Sequence, residues 1–172
     1  MAAKKDKEAV SKPKLSIFWF RRDLRLDDNT GLSEALKQEF PVLPLFIFDT
    51  DILDKLPGKE DKRVHFIHHT LSNLQLEIIK LKSSLCLIHG KPLDVFKKLD
   101  AEYDIQSVYT NQDYEPDAIK RDKTIADYLT GHGISFRAFK DQVIFEKSEI
   151  VDLLYPIEKE LTSCNIIRDI RF

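Results

Sequence analysis

Residues 17–29 read IFWFRRDLRLDDN, so a wholly apolar run gives way within one residue to alternating arginines and aspartates. Leu15, Ile17, Phe18, Trp19 and Phe20 are β-branched, aromatic or large, which suits a strand covered on both faces, as in a parallel sheet. Arg21, Arg22, Asp23, Arg25, Asp27 and Asp28 then fall where that strand should end. In open α/β sheets ligands lie outside the carboxyl ends of the strands, so this charged segment stands where a site is expected. Taken as structure alone, the alternating charges make an ion-pair network that fixes a βα loop, with Asp28 or Asn29 capping the following helix.

The same alternation continues along the chain. Leu32, Ala35 and Leu36 have helical spacing and Pro41 closes the segment, which predicts a helix over residues 29–39. VLPLFIF at residues 42–48 is a second buried strand that releases Asp49, Thr50 and Asp51, and Pro44 belongs near its start or at a bulge. From Asp61 onward, Val64, Ile67, Leu71, Leu74, Ile78 and Leu81 step by three or four, the stripe of a long amphipathic helix. Residues 85–88 form a third strand closing on His89 and Gly90, and residues 92–99 a helix with proline in its first turn. Ile105, Val108 and Tyr109 mark a fourth strand ending at Thr110 and Asn111. A helix over residues 115–129 holds Ile119, Ile125, Ala126 and Leu129 inside and is stopped by Gly131 and Gly133; residues 134–139 are the fifth strand. Strands alternating with crossover helices imply right-handed βαβ units. The predicted fold class is α/β, a Rossmann-like doubly wound parallel five-stranded sheet with helices on both faces.

A chain of 172 residues is long enough for one domain with a full core. No apolar run approaches the ~20 residues that cross a bilayer, so no membrane partner is expected. The net charge of −2 gives no general attraction to a polyanion. Cys86 and Cys164 carry no metal-ligand spacing, which argues against a disulfide framework or a zinc site and for a reducing cytoplasm. Residues 1–14 hold five lysines against Asp6 and Glu8 and no apolar segment, a disordered, solvated leader and not a targeting signal. No glycine-rich dinucleotide motif follows the first strand and no P-loop occurs, which argues against a standard dinucleotide or P-loop phosphate site. His65 and His69 stand four apart on one helix, but Phe66 occupies the position where a zinc-protease helix needs glutamate; the pair reads as a solvated face, with no metal.

A second polar cluster, NQDYEP at residues 111–116, follows the fourth strand. As structure, it caps the next helix, with Asp113 as N-cap and Pro116 in the first turn. As a site, it offers Asp113 and Glu115 as acceptors for ring N–H and amino groups, while Asn111 both donates and accepts. In a doubly wound order strands one and four are neighbours at the switch point, so both polar clusters border one crevice.

FRRDLRLDDN at residues 20–29 closely resembles the N-terminal signature of the DNA photolyase and cryptochrome family. The similarity continues in the same order through FIFD at residues 46–49, Lys62-Arg63-Val64, Gly90-Lys91-Pro92, residues 111–116, Arg121-Asp122 and Phe139-Lys140-Asp141. It covers about residues 15–150, and it implies an α/β domain that houses a light-harvesting antenna chromophore, either a folate (methenyltetrahydrofolate) or a deazaflavin. Carried over by position, it implies that Asp113 and Glu115 hydrogen-bond the antenna ring, that Asn111 assists, and that Phe48, Asp49 and Arg63 line the same groove. An arginine can stack on such a ring, an acid can read its edge and an aromatic wall can exclude water. For Arg22 the resemblance leaves two options, an antenna contact or an ion pair to Asp23 or Asp27, of which the ion pair is preferred.

In the family a separate helical domain downstream holds FAD and meets UV-damaged DNA. Here Ile150 is followed by VDLLYP where the family continues into a Tyr/Phe-Thr-Pro segment, so residues 151–172 read as a divergent tail and the helical domain as absent. No residue is then catalytic. The expectation is the N-terminal chromophore-binding domain of a deoxyribodipyrimidine photolyase, not repair-competent alone. A cryptochrome-like light-signalling domain and a universal-stress-type nucleotide-binding module are the alternatives.

Overall fold

The computed structural model describes residues 11–55 and 61–143. Strand β1 (Lys14–Phe20) leads to helix α1 (Thr30–Leu36), then strand β2 (Val42–Asp49), the short helix α2 (Thr50–Leu53), the long helix α3 (Lys62–Lys80) and strand β3 (Cys86–Gly90). Helix α4 (Pro92–Glu102), strand β4 (Asp104–Asn111), helix α5 (Pro116–Gly131) and strand β5 (Ser135–Phe139) follow. Every strand pairing is parallel and the order across the sheet is β3-β2-β1-β4-β5. The chain works outward from β1 to β3, returns through α4 to the other side of β1, and works outward again. Because each crossover is right-handed, that reversal puts the helices of the two halves on opposite faces of the sheet.

Side chains of β1 confirm the double burial. Leu15, Ile17 and Trp19 enter a core with Val95, Phe96 and Leu99 of α4 and Ile125 and Leu129 of α5. Phe18 and Phe20 enter the opposite core with Leu32 and Ala35 of α1 and Leu71, Leu74 and Ile78 of α3. Trp19 meets Phe96 edge-to-face at 5.3 Å, and Phe18 meets Phe20 likewise at 4.6 Å. Each such fully buried side chain contributes about 1.5–3 kcal/mol of transfer free energy.

Several local expectations change. Pro44 lies inside β2, opposite Phe18 of β1, but β3 begins to pair only at Leu45, so the strand has one neighbour at the proline. Leu81 is the C-cap of α3 and is exposed, as is Ile119 of α5; the apolar stripe overran both buried faces. The N-cap of α5 is Glu115, not Asp113, and it makes no side-chain cap bond. Asp113 instead accepts the Glu115 backbone N–H at 3.2 Å, closing a turn ahead of Pro116. Asn29 caps α1, its Oδ1 accepting the Leu32 N–H at 3.0 Å. The β1 strand starts at Lys14, within the expected leader; residues 1–10 of that leader and the tail at 151–172 lie outside the described residues.

Candidate functional site

The crevice at the carboxyl ends of β1 and β4 rests on a buried polar floor. Asp23, Asn29 and Asn111 are each less than 5% exposed. Asn111 donates from Nδ2 to Asp23 Oδ2 at 2.6 Å and to Asn29 Oδ1 at 2.9 Å, and its Oδ1 accepts the Gly31 N–H at 2.8 Å. Asp23 Oδ1 accepts the Arg21 N–H at 2.8 Å. Asn29 Nδ2 donates to the carbonyl of Arg25 at 3.1 Å. These bonds fasten the loop after β1 to the start of α1 and the end of β4. A buried network with every member paired is rigid, and it fixes where the next residues point.

Arg22 projects from this floor. Its Nη2 donates to Glu115 Oε1, and its Nε stands 3.8 Å from Asp113 Oδ2. The Glu115 hydrogen bond, with the Asp113 charge adding to it, holds the guanidinium pKa above its ordinary value against the opposing effect of partial burial. The Arg22 ion pair therefore forms across the crevice and not with Asp23 or Asp27. Asp23 is turned inward to Arg21 and Asn111, and Asp27 stays exposed. Side-chain exposures of 56% for Arg22 and 60% for Glu115 make this pair worth about 0–1 kcal/mol.

On the α4–α5 side a second charged cluster braces the same loop. Arg21 Nη1 pairs with Asp122 of α5 at 2.5 Å and Arg21 Nη2 bonds the Asn111 carbonyl. Arg121 bridges Asp122 at 3.2 Å and Asp49 at 3.7 Å. The guanidiniums of Arg21 and Arg121 lie 5.1 and 5.0 Å from the Trp19 ring centroid, close enough for cation–π attraction. Arg25 reaches Asp141 at 2.7 Å, tying the loop to the segment after β5.

Of the residues singled out from the sequence, Arg22, Asp113 and Glu115 meet directly, and Asn111 lies beneath them with its amide engaged. Asp49 joins through Arg121 and also caps α2, accepting the Asp51 N–H at 2.9 Å. Phe48 alternates to the other face of β2, where its ring packs on Phe46 at 5.0 Å and against the α1–α3 core. Arg63 is not drawn to the cluster. It pairs with the N-cap of its own helix, Asp61, through Nε at 2.9 Å and Nη2 at 2.6 Å. That hydrogen bonding holds the Asp61 carboxyl down to about 2. Arg21 and Asp122 are the members that reading the site from sequence passed over. Their charge alternation was visible in sequence, but a pairing across 101 positions was not.

The crevice thus offers one exposed guanidinium and two carboxylates above a fixed floor, a donor and acceptor set suited to the edge of a planar heterocycle. Residues 16–156 match the DNA photolyase family, and the chain belongs to that family. It is 35% identical over 138 residues to a deoxyribodipyrimidine photo-lyase of Synechococcus, spanning 78% of this chain but only 28% of that protein. It is 31% identical over 147 residues to cryptochrome-1 of Arabidopsis thaliana, spanning 81% of this chain and 20% of that protein. Among solved structures, an archaeal photolyase from Sulfolobus tokodaii superimposes with a TM-score of 0.70 at 34% identity, covering 84% of this chain and 34% of the other. That crystal structure holds two FAD molecules and implies a novel light-harvesting cofactor. A class III photolyase from Agrobacterium tumefaciens superimposes at 0.69 with 27% identity, covering 85% and 29%. The described region therefore corresponds to the N-terminal α/β part of much longer relatives, and the universal-stress alternative is set aside. Among the described residues no helix is long and apolar enough to cross a membrane.

Proposed function

We propose that this domain, taken as residues 15–150, binds the light-harvesting chromophore of a deoxyribodipyrimidine photolyase. The reading is carried by one observation: Arg22 from the end of β1 meets Asp113 and Glu115 from the loop after β4, at the switch point of the sheet. In this proposal Asp113 and Glu115 accept from the N–H groups of a folate or deazaflavin ring, and Arg22 covers one edge. Asn111 supports them from below and Phe48 supplies an apolar wall; Arg63 would have to leave Asp61, and Asp49 to leave Arg121, for either to touch the pigment. The pigment, when bound, absorbs light and passes the excitation on. Repair of a pyrimidine dimer requires an electron from an excited reduced flavin, and we assign that FAD and the contact with UV-damaged DNA to a helical domain outside the α/β fold. The domain alone is then not repair-competent, and none of its residues is catalytic. The sparse cysteines, with Cys86 a free thiol, favour a reducing cytoplasm.

Titration of methenyltetrahydrofolate or a 5-deazaflavin should shift or quench the pigment's absorbance. Glu115→Ala should then raise the dissociation constant about tenfold, the loss of one charge-assisted hydrogen bond. If neither pigment binds a protein in which this domain is joined to a flavin domain, the antenna reading is wrong. A cryptochrome-type signalling domain is the second reading, favoured by the identity to Arabidopsis cryptochrome-1. Dimer repair by the flavin-loaded protein separates the two.

A further inference from the structure

Arg22 serves both acids of the crevice. Arg22 bonds Glu115 and stands 3.8 Å from Asp113, leaving one excess negative charge among the three. Asp113 is only 13% exposed at its side chain, whereas Arg22 and Glu115 both face solvent. The guanidinium can therefore swing off the carboxylates without disturbing the buried floor, because Arg21 and Asp23 on either side of it are anchored separately.

Resting on the antenna reading, we propose that Arg22 is the specificity-determining residue of the crevice, selecting between two kinds of ring edge. Ionised carboxylates only accept hydrogen bonds. A dione edge, an N–H flanked by two carbonyls as in a deazaflavin, sets its own lone pairs against Asp113 and Glu115 unless the N–H donors of Arg22 remain between them. A 2-amino-4-oxopteridine edge carries adjacent N–H donors that match a carboxylate directly, and it must displace the guanidinium to reach it. Arg22 thus supports the dione edge and competes with the aminopteridine edge. Such discrimination is a difference of two affinities, built partly from a group that one ligand has to push aside.

The test uses the 172-residue chain, two uncharged headgroups, pterin and 5-deazariboflavin, and amide chemical-shift titration, which reads weak affinities. In Arg22→Met the pterin affinity should rise about threefold and the 5-deazariboflavin affinity fall about tenfold, moving their ratio about thirtyfold. Glu115→Gln adds a donor to the crevice and should move the ratio the opposite way. A loss of folding would weaken both ligands alike, so the ratio reports selection and not stability. Parallel changes in the two affinities, or an unchanged ratio, overturn the proposal while leaving the antenna reading intact. Binding of neither headgroup by the unmodified chain overturns the proposal, and the antenna reading is then decided by the titration of the protein in which this domain is joined to a flavin domain.

Discussion

Asn111 donates to Asp23 and to Asn29 and accepts the Gly31 N–H, so its amide is committed to holding three segments together. Asn111→Ala would leave the Asp23 carboxylate and the Gly31 N–H short of partners inside the domain. Urea unfolding should show a loss of about 3 kcal/mol, the cost of an unpaired buried group next to a buried charge. Ser16 is the opposite case: among the described residues its Oγ is buried with no hydrogen-bond partner. Ser16→Ala should leave stability unchanged or raise it by about 1 kcal/mol in the same assay. At this scale the sequence announces chemistry but not direction. Asp113 and Glu115 were legible as acceptors because they stand in a polar loop after a strand. Asn111 stands in the same polar segment, yet its amide faces inward, since its partners lie 80 to 88 positions away in the chain.

Helix α1 is short, and its fit depends on contacts as much as on propensity. A Cβ added at Gly31 would stand 2.6 Å from Asn111 Oδ1 and 2.9 Å from Phe18 Cε2. Gly31→Ala would gain helix propensity but overpack α1 against β4, and a net loss of about 1–3 kcal/mol is expected in thermal or urea unfolding. At α3 the bonds from Arg63 lower the Asp61 carboxyl to about 2. A carboxylate whose folded value is depressed contributes its full stabilisation above its unfolded value near ~3.9, and loses it as pH falls through the folded value. The first turn of α3 should therefore fray between about pH 4 and pH 2, read as faster amide exchange at Arg63, Val64 and His65. Asp61→Asn should remove that pH dependence. Element positions were readable from periodicity, because strands buried on both faces and helices with a single buried stripe leave distinct patterns. Helix ends were less so. Leu81 and Ile119 continue an apolar spacing past the point where a neighbour exists to cover them, and Pro116 at the first helical position puts the N-cap of α5 at Glu115 and not at Asp113.

Across the whole molecule, the strand order β3-β2-β1-β4-β5 makes β1 and β4 neighbours and opens a crevice between their carboxyl ends. That topology follows from alternating strands and helices with right-handed crossovers, so it could be anticipated from sequence together with the meeting of the two polar clusters. What could not be anticipated was the division of labour between them. Asp23 and Asn111 form a floor, Arg21 and Asp122 a brace, and Arg22 with Glu115 and the partly covered Asp113 the rim. The relatives are longer proteins, and the chain spans about 28% of the Synechococcus photolyase. The central claim is that this rim is where a pigment binds, and a crystal structure of the protein with a folate or deazaflavin tests it most directly. The account predicts the ring at the carboxyl ends of β1 and β4, within hydrogen-bond distance of Asp113 and Glu115. A ring bound elsewhere, such as at the opposite end of the sheet beside Lys12, Tyr103 and His132, would contradict it.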